Sequence, residues 1–180
     1  PFTKKIESGL LKIDVNYDIL WGEYTGKRID IDTFLENPVE LTIYGTEVKT
    51  LPPLKAFIQL VLHHYKEMNS IYHLATHNCI KESMFRDIYY LLIHFVNDIS
   101  INSLCEFCEH YSLYSIFYYV LYYTSQVFKS PILESYVNAM ETVEGKNIIN
   151  CYGLDDKERK EWKVDFQTRL TSQNLYALIS

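Results

Sequence analysis

The hydrophobic period of this chain changes at Pro52. Ahead of it, Ile13, Val15, Tyr17 and Ile19 alternate with Lys12, Asp14, Asn16 and Asp18, the two-residue period of a strand with one apolar face. The run Val39-Glu40-Leu41-Thr42-Ile43-Tyr44 alternates again before Gly45-Thr46, and Val48 continues it as a hairpin. Residues 22–27 read as a turn or loop, and 29–34 are ambiguous. Beyond Pro52, Leu54, Phe57, Ile58, Val61 and Tyr65 fall at helical spacing behind a proline pair. Strands first and helices after give an α+β chain that is mainly α. A short antiparallel β segment at the N-terminus precedes a bundle of about six to seven helices. Residues 1–50 are then the β segment and 51–180 a helical domain.

Further helices follow from the same periodicity. A weak one runs from Ile71 to Cys79. Another opens near Ser83, carries Phe85, Ile88, Leu92 and Phe95 on one side, and ends at Asn97-Asp98. A fourth starts at Asn102 as N-cap, with Leu104, Phe107, Cys108 and Tyr111 inward. Residues 113–128 are apolar nearly all round, which predicts a central helix. Ser130-Pro131 opens a sixth. Gly145 reads as a break, and Leu154 to Phe166 as a charged surface helix anchored by Trp162.

Composition narrows the function classes. A net charge of −6 argues against a strong nucleic-acid footprint, which needs clustered Lys and Arg. Four cysteines without a signal peptide read as cytoplasmic thiols. No apolar run reaches the ~20 residues that span a bilayer. The aromatic content is unusual, with 16 Tyr and 9 Phe. A buried tyrosine needs a partner for its hydroxyl. The excess therefore implies either many hydrogen bonds inside the core or a half-wet surface, and the latter would suit a homo-oligomer.

Several motifs carry possible chemistry. Cys105-x-x-Cys108-x-His110 has zinc-binding residue types, but a structural site needs four ligands and no second pair closes the set. Two small apolar core residues are the better reading. His63-His64 lie in the first long helix. His73 and His77 follow at i, i+4, but the Glu of H-E-x-x-H is missing. Arg86-Asp87 is a charged pair at the start of an apolar helix, and adjacent helical residues do not face each other, so each calls for its own partner. Asp30 and Asp32 resemble a D-h-D carboxylate pair. The only upstream turn, Trp21-Gly22-Glu23, lacks the second small residue and sets a carboxylate where a triphosphate would lie. They read as a charged loop. Asp14, on the polar side of its strand, gains meaning only if other carboxylates reach the same metal.

The order of the segments carries a resemblance. A strand Lys-Ile-Asp-Val-Asn-Tyr comes first. Ile-Tyr-Gly-Thr-Glu-Val-Lys-Thr-Leu-Pro-Pro then leads into Phe-Ile-Gln-Leu-Val-Leu-His-His-Tyr-Lys. Phe-Arg-Asp-Ile-Tyr-Tyr-Leu-Leu and Ser-Leu-Cys-Glu-Phe-Cys-Glu-His-Tyr-Ser-Leu follow, ahead of a Tyr-rich helix. From about Leu10 to Phe128 this resembles the C-terminal two-thirds of the uncharacterised bacterial nucleotidyltransferase-like family, within the minimal nucleotidyltransferase superfamily. The resemblance implies that Asp14 is the third catalytic, metal-binding carboxylate. It implies that His63 or His64, with Arg86 and Asp87, face the nucleotide cleft. The Gly-Ser turn and the D-h-D pair would precede residue 1. Where the family reads Asp-Leu-His-Trp, this chain has Asp14-Val15-Asn16-Tyr17.

The chemistry so implied is attack on the α-phosphate of a nucleoside triphosphate with Mg²⁺ held by three carboxylates. Mg²⁺ demands near-octahedral oxygen ligation, which Asp14 alone does not supply. This chain is therefore expected to be inactive by itself, with no Mg²⁺ or nucleotide bound. Nucleotide and acceptor would engage through the preceding segment. The alternative is a helical protein-interaction module without nucleotide chemistry, suggested by the aromatic excess.

Overall fold

A computed structural model of the chain describes residues 2–6, 9–13, 18–21, 26, 28–76 and 80–179, and for 2–6 and 9–13 the backbone alone. The strands are β1 (Phe2–Ile6), β2 (Gly9–Ile13), β3 (Val39–Ile43), β4 (Thr46–Thr50), β5 (Cys151–Tyr152) and β6 (Lys160–Glu161). They form three separate antiparallel two-stranded pairs, β1–β2, β3–β4 and β5–β6. The helices among the described residues are α1 (Ile31–Leu35), α2 (Pro53–Asn69), α3 (Ile71–Thr76), α4 (Glu82–His94), α5 (Ile101–Tyr111), α6 (Tyr114–Val127), α7 (Pro131–Met140), α8 (Val143–Ile148), α9 (Phe166–Thr171) and α10 (Tyr176–Ile179). The fold is α+β and mainly α. The ten helices exceed the expected six to seven because α1, α8, α9 and α10 are four to six residues long, too short for a periodicity to show.

Helix α6 is the centre. Its buried set includes Phe117, Tyr118, Tyr119, Val120, Leu121, Tyr123 and Thr124, and α2, α4, α5, α7 and α8 all pack against it. Its tyrosines meet the hydroxyl requirement by reaching across to backbone carbonyls. Tyr119 donates to the carbonyl of Cys151 at 3.2 Å, and Tyr123 donates to that of Ile149. Tyr136 of α7 donates to the carbonyl of Ile99. Burial, only partly offset by the nearby Arg169 cation, pushes the Tyr119 hydroxyl well above its ordinary pKa, so it stays a donor.

Arg169 closes the C-terminal side. It is 1% exposed, and its guanidinium carbon lies 5.0 Å from the Tyr123 ring centre, 5.1 Å from Trp162 and 5.6 Å from Phe166. Its Nη2 donates to the Tyr123 hydroxyl at 2.8 Å and its Nε to the Asp165 carbonyl at 3.3 Å. A cation in this position is held by ring faces and two acceptors rather than by a carboxylate.

Several local expectations need correction. The first strand does not run to Leu20. Residues 14–17 lie outside the described residues, and Asp18 turns the chain by accepting from the Leu20 N–H at 2.9 Å. Leu20 and Trp21 are then both buried, which an alternating strand does not permit. Asp30 is the N-cap of α1, accepting from the Asp32 N–H at 3.2 Å and the Thr33 hydroxyl at 2.6 Å, and this bonding holds its carboxyl below the usual range. The N-cap of α5 is Ser100, not Asn102, because the Ser100 hydroxyl oxygen accepts from the Ser103 N–H at 3.0 Å.

The expected charged helix over 154–166 is absent. Asp155 accepts from the N–H groups of Lys157 and Glu158 and folds that stretch into a turn. Gly153 packs with φ of +107° where a Cβ would meet the Glu158 carbonyl carbon at 2.6 Å. Trp162 remains an anchor, 7% exposed and 4.8 Å from the Tyr152 ring.

Gly145 sits inside α8 rather than ending a helix, because a Cβ there would stand 2.8 Å from Cδ1 of Tyr118. Gly145→Ala should therefore lower stability by about 1 kcal/mol in urea denaturation. The overpacking cost of about 1–3 kcal/mol outweighs the helix-propensity gain of about 0.8–1.0 kcal/mol.

Candidate functional site

The proline pair starts α2 without a side-chain cap, with Pro53 at its first position and the fixed φ already helical. The helix buries Phe57, Ile58, Val61, Leu62, Tyr65 and Met68, and this stripe sets which residues are left at its edges. His63 stands on one side, His64 on the other, and Glu67 one turn further on.

On a helix with about 100° per residue, position i+4 falls about 40° beyond i, and i+1 about 100° beyond it. The Glu67 carboxylate therefore lies angularly between the two imidazoles. Its Oε1 is 3.4 Å from Nε2 of His63, and its Oε2 is 3.3 Å from Nδ1 of His64. Bonding from the two rings, His63 foremost, holds the Glu67 carboxyl far below the usual carboxylate range. His64 is 7% exposed, and its Nε2 is buried without a hydrogen-bond partner.

A cleft of about 220 Å³ opens between α2, α3 and α4, lined by His64, Glu67, His73, Lys81, Ser83 and Asp87 among others. Of the four helix residues that the resemblance marks it brings together His64 and Asp87, and beside them stands His73, which the sequence also singled out. The other two are not in its lining. His63 lines a neighbouring cleft of about 260 Å³ with Asp18, Trp21 and Phe34. The Arg86 side chain is 56% exposed and folds back on Asp87, Nε to Oδ1 3.5 Å. The sequence argument gave these adjacent residues separate partners; the length of the arginine side chain lets the two meet on the surface. An exposed pair of this kind contributes little to stability.

Asp14 lies outside the described residues, as do Gly22, Glu23, His77 and Cys79. The cleft does not fit Mg²⁺. Its carboxylates, Glu67 and Asp87, share the space with two imidazoles and the Lys81 ammonium group, whereas Mg²⁺ takes an oxygen shell.

No family model matches the chain, nor does any curated protein or solved structure.

Glu67, Lys81 and Ser83 escaped the sequence reading. For Glu67 a signal was present, in the H-H-x-x-E spacing of His63, His64 and Glu67. Lys81, the N-cap residue of α4, and Ser83 in its first turn reach the cleft through the packing of α4 beside α2 and α3, which no spacing announces.

Cys105, Cys108 and His110 form no such cluster. Among the described residues, His63, His64 and Glu67 are the one group of His, Cys or acidic side chains close enough to share an ion. Cys108 is fully buried, and burial pushes its thiol far above the ordinary range, which suits a packing residue rather than a nucleophile. In native protein labelled with iodoacetamide and mapped by mass spectrometry, Cys108 should react at least about tenfold more slowly than the half-buried Cys105. Equal rates would show that this part of the core is open.

Proposed function

We propose that this chain is the helical C-terminal portion of a nucleotidyltransferase-like protein, acting in the cytoplasm, and inactive in nucleotidyl transfer without further carboxylates. The supporting observation is that His64 on α2 and Asp87 on α4, the two helix positions that the resemblance marks, line one cleft. Its volume of about 220 Å³ is below the ~300–1,000 Å³ of pockets that enclose a whole drug-sized ligand. The cleft has room for a phosphate group or the end of an acceptor, with His64, Lys81 and Ser83 as donors to its oxygens and the Glu67 and Asp87 carboxylates opposing an unneutralised anion. Base and sugar would lie outside it. The Mg²⁺ ions would belong with Asp14 and carboxylates from another segment. The free thiols of Cys105, Cys108 and Cys151 favour a reducing compartment. Among the described residues, no helix is long and apolar enough to cross a membrane.

A second reading, a protein-interaction module, is favoured by the β3–β4 hairpin. Leu41 is 48% exposed, Ile43 47%, and Tyr44 at the turn fully so. On that reading, the double variant Leu41→Lys, Ile43→Lys should abolish a concentration-dependent rise in mass seen by light scattering. A parent protein that stays monomeric across the series would remove this reading for self-association.

The transfer reading is tested with α-labelled nucleoside triphosphates and Mg²⁺. This chain should transfer no label. A form extended by the preceding residues of the parent gene product should transfer it, and should lose at least about a hundredfold in rate on Asp14→Asn. Transfer by this chain alone would overturn the incomplete-site reading. A preceding segment without a Gly-Ser turn and D-h-D pair would overturn the family reading.

A further inference from the structure

We infer that His63, His64 and Glu67 form a binding site for a divalent transition-metal ion of the zinc class, set on the ridge of α2 between two clefts.

The three side chains stand at the spacing of ligands around one ion. Zinc binds imidazole nitrogen at about 2.0–2.1 Å and carboxylate oxygen at about 2.0–2.2 Å. Donors on a tetrahedron of that radius stand about 3.4 Å apart. The carboxylate-to-imidazole separations are 3.4 Å for His63 and 3.3 Å for His64. One ligand atom from each of the three residues lies within 4.8 Å of the other two. A charge-assisted hydrogen bond from an imidazole to a carboxylate draws in to about 2.7–2.9 Å. Through Oε1 and Oε2 of Glu67 the contacts here are longer than that, so the three groups are gathered within reach of one ion without being drawn tightly onto one another.

The buried His64 ring is held through one nitrogen. A histidine kept for structure satisfies both ring nitrogens. His64 is 7% exposed, faces Glu67 with Nδ1 and leaves Nε2 without a partner. Among the described residues, Glu67 is the one hydrogen-bonding partner at its ring. An ion bound by Nδ1 of His64, Nε2 of His63 and Glu67 would hold the three side chains to one centre, with Nε2 of His64 left outside its ligand set.

Two imidazoles and one carboxylate are the donor set of open zinc centres and of the two-histidine, one-carboxylate facial triad. The His63 side chain is 47% exposed and that of Glu67 35%, so an ion can enter from solvent and keep one or more waters. Such a centre presents its open positions toward the clefts on either side. Thiols take no part: Cys105 and Cys108 lie on α5, and neither belongs to the cluster. The inference stands apart from the transfer reading, because metal uptake is read without nucleotide.

The test uses the purified full chain, freed of metal with a chelator. Zn²⁺ is titrated against a chromophoric indicator, and Co²⁺ is followed by its visible d–d absorption. The expected result is uptake of one ion per chain, with a Co²⁺ spectrum of four or five coordination and no thiolate charge-transfer band. Mg²⁺ in excess should not displace it. His63→Ala and Glu67→Gln, at partly exposed positions, should each lower affinity by about 10–100-fold, while Cys105→Ser leaves it unchanged. Circular dichroism melts confirm that each variant is folded. The absence of saturable uptake, uptake undiminished in folded His63→Ala and Glu67→Gln, or loss on Cys105→Ser would each overturn the site.

Discussion

A helix without a polar side has nowhere to face water, and α6 imposes that condition on the rest of the molecule. Five helices enclose it. What distinguishes it from an aliphatic core helix is its tyrosines. Each ring buried beside α6 brings a hydroxyl that must find an acceptor where water is excluded. Tyr119 and Tyr123 find theirs in the carbonyls of Cys151 and Ile149, the first residue of β5 and the residue that follows α8. These acceptors are main-chain groups, so they fix where the chain runs rather than which side chains it carries. The turn behind β5 and the docking of Arg169 against Tyr123 extend the same logic to the C-terminal residues.

The long helices were legible because their burial is one-sided and their length allows a 3.6-residue period to show. The β3–β4 hairpin was legible from alternation and Gly45. What escaped were elements whose cause is tertiary. Gly145 looks like a helix end in one dimension and is a contact with Tyr118 in three. The 154–166 stretch has helix-forming charge and a plausible anchor, yet the side-chain bonds of Asp155 and the strand pair β5–β6 prevail over propensity. Trp162 read correctly as an anchor for a reason independent of the helix assigned to it, since a large ring seeks burial in either conformation.

The candidate site divides along the same line. His64 and Asp87 were singled out, and the packing of α2 beside α4 brings them to one cleft. Glu67 was visible only in relation to both histidines at once, through angular position on the helix. The hydrogen-bonding state of His64, with one nitrogen toward Glu67 and one without a partner, depends on what α3 and α4 cover. No spacing rule conveys that.

The hairpin β3–β4 has a further consequence. Its turn residues Tyr44 and Gly45 both have positive φ, 51° and 77°, the pairing that matches the twist of a tight two-residue loop. The ribbon is therefore shaped by its own turn rather than by a layer beneath it. Val39, Leu41 and Ile43 stand at least a third exposed, and each strand has one neighbour among the described residues. A ribbon with open edges and alternating branched side chains is a template to which any extended chain can add backbone hydrogen bonds. Glu40, Glu47 and Lys49 break its charge neutrality. Charges placed on an open ribbon in this way disfavour its growth into ordered stacks of identical chains.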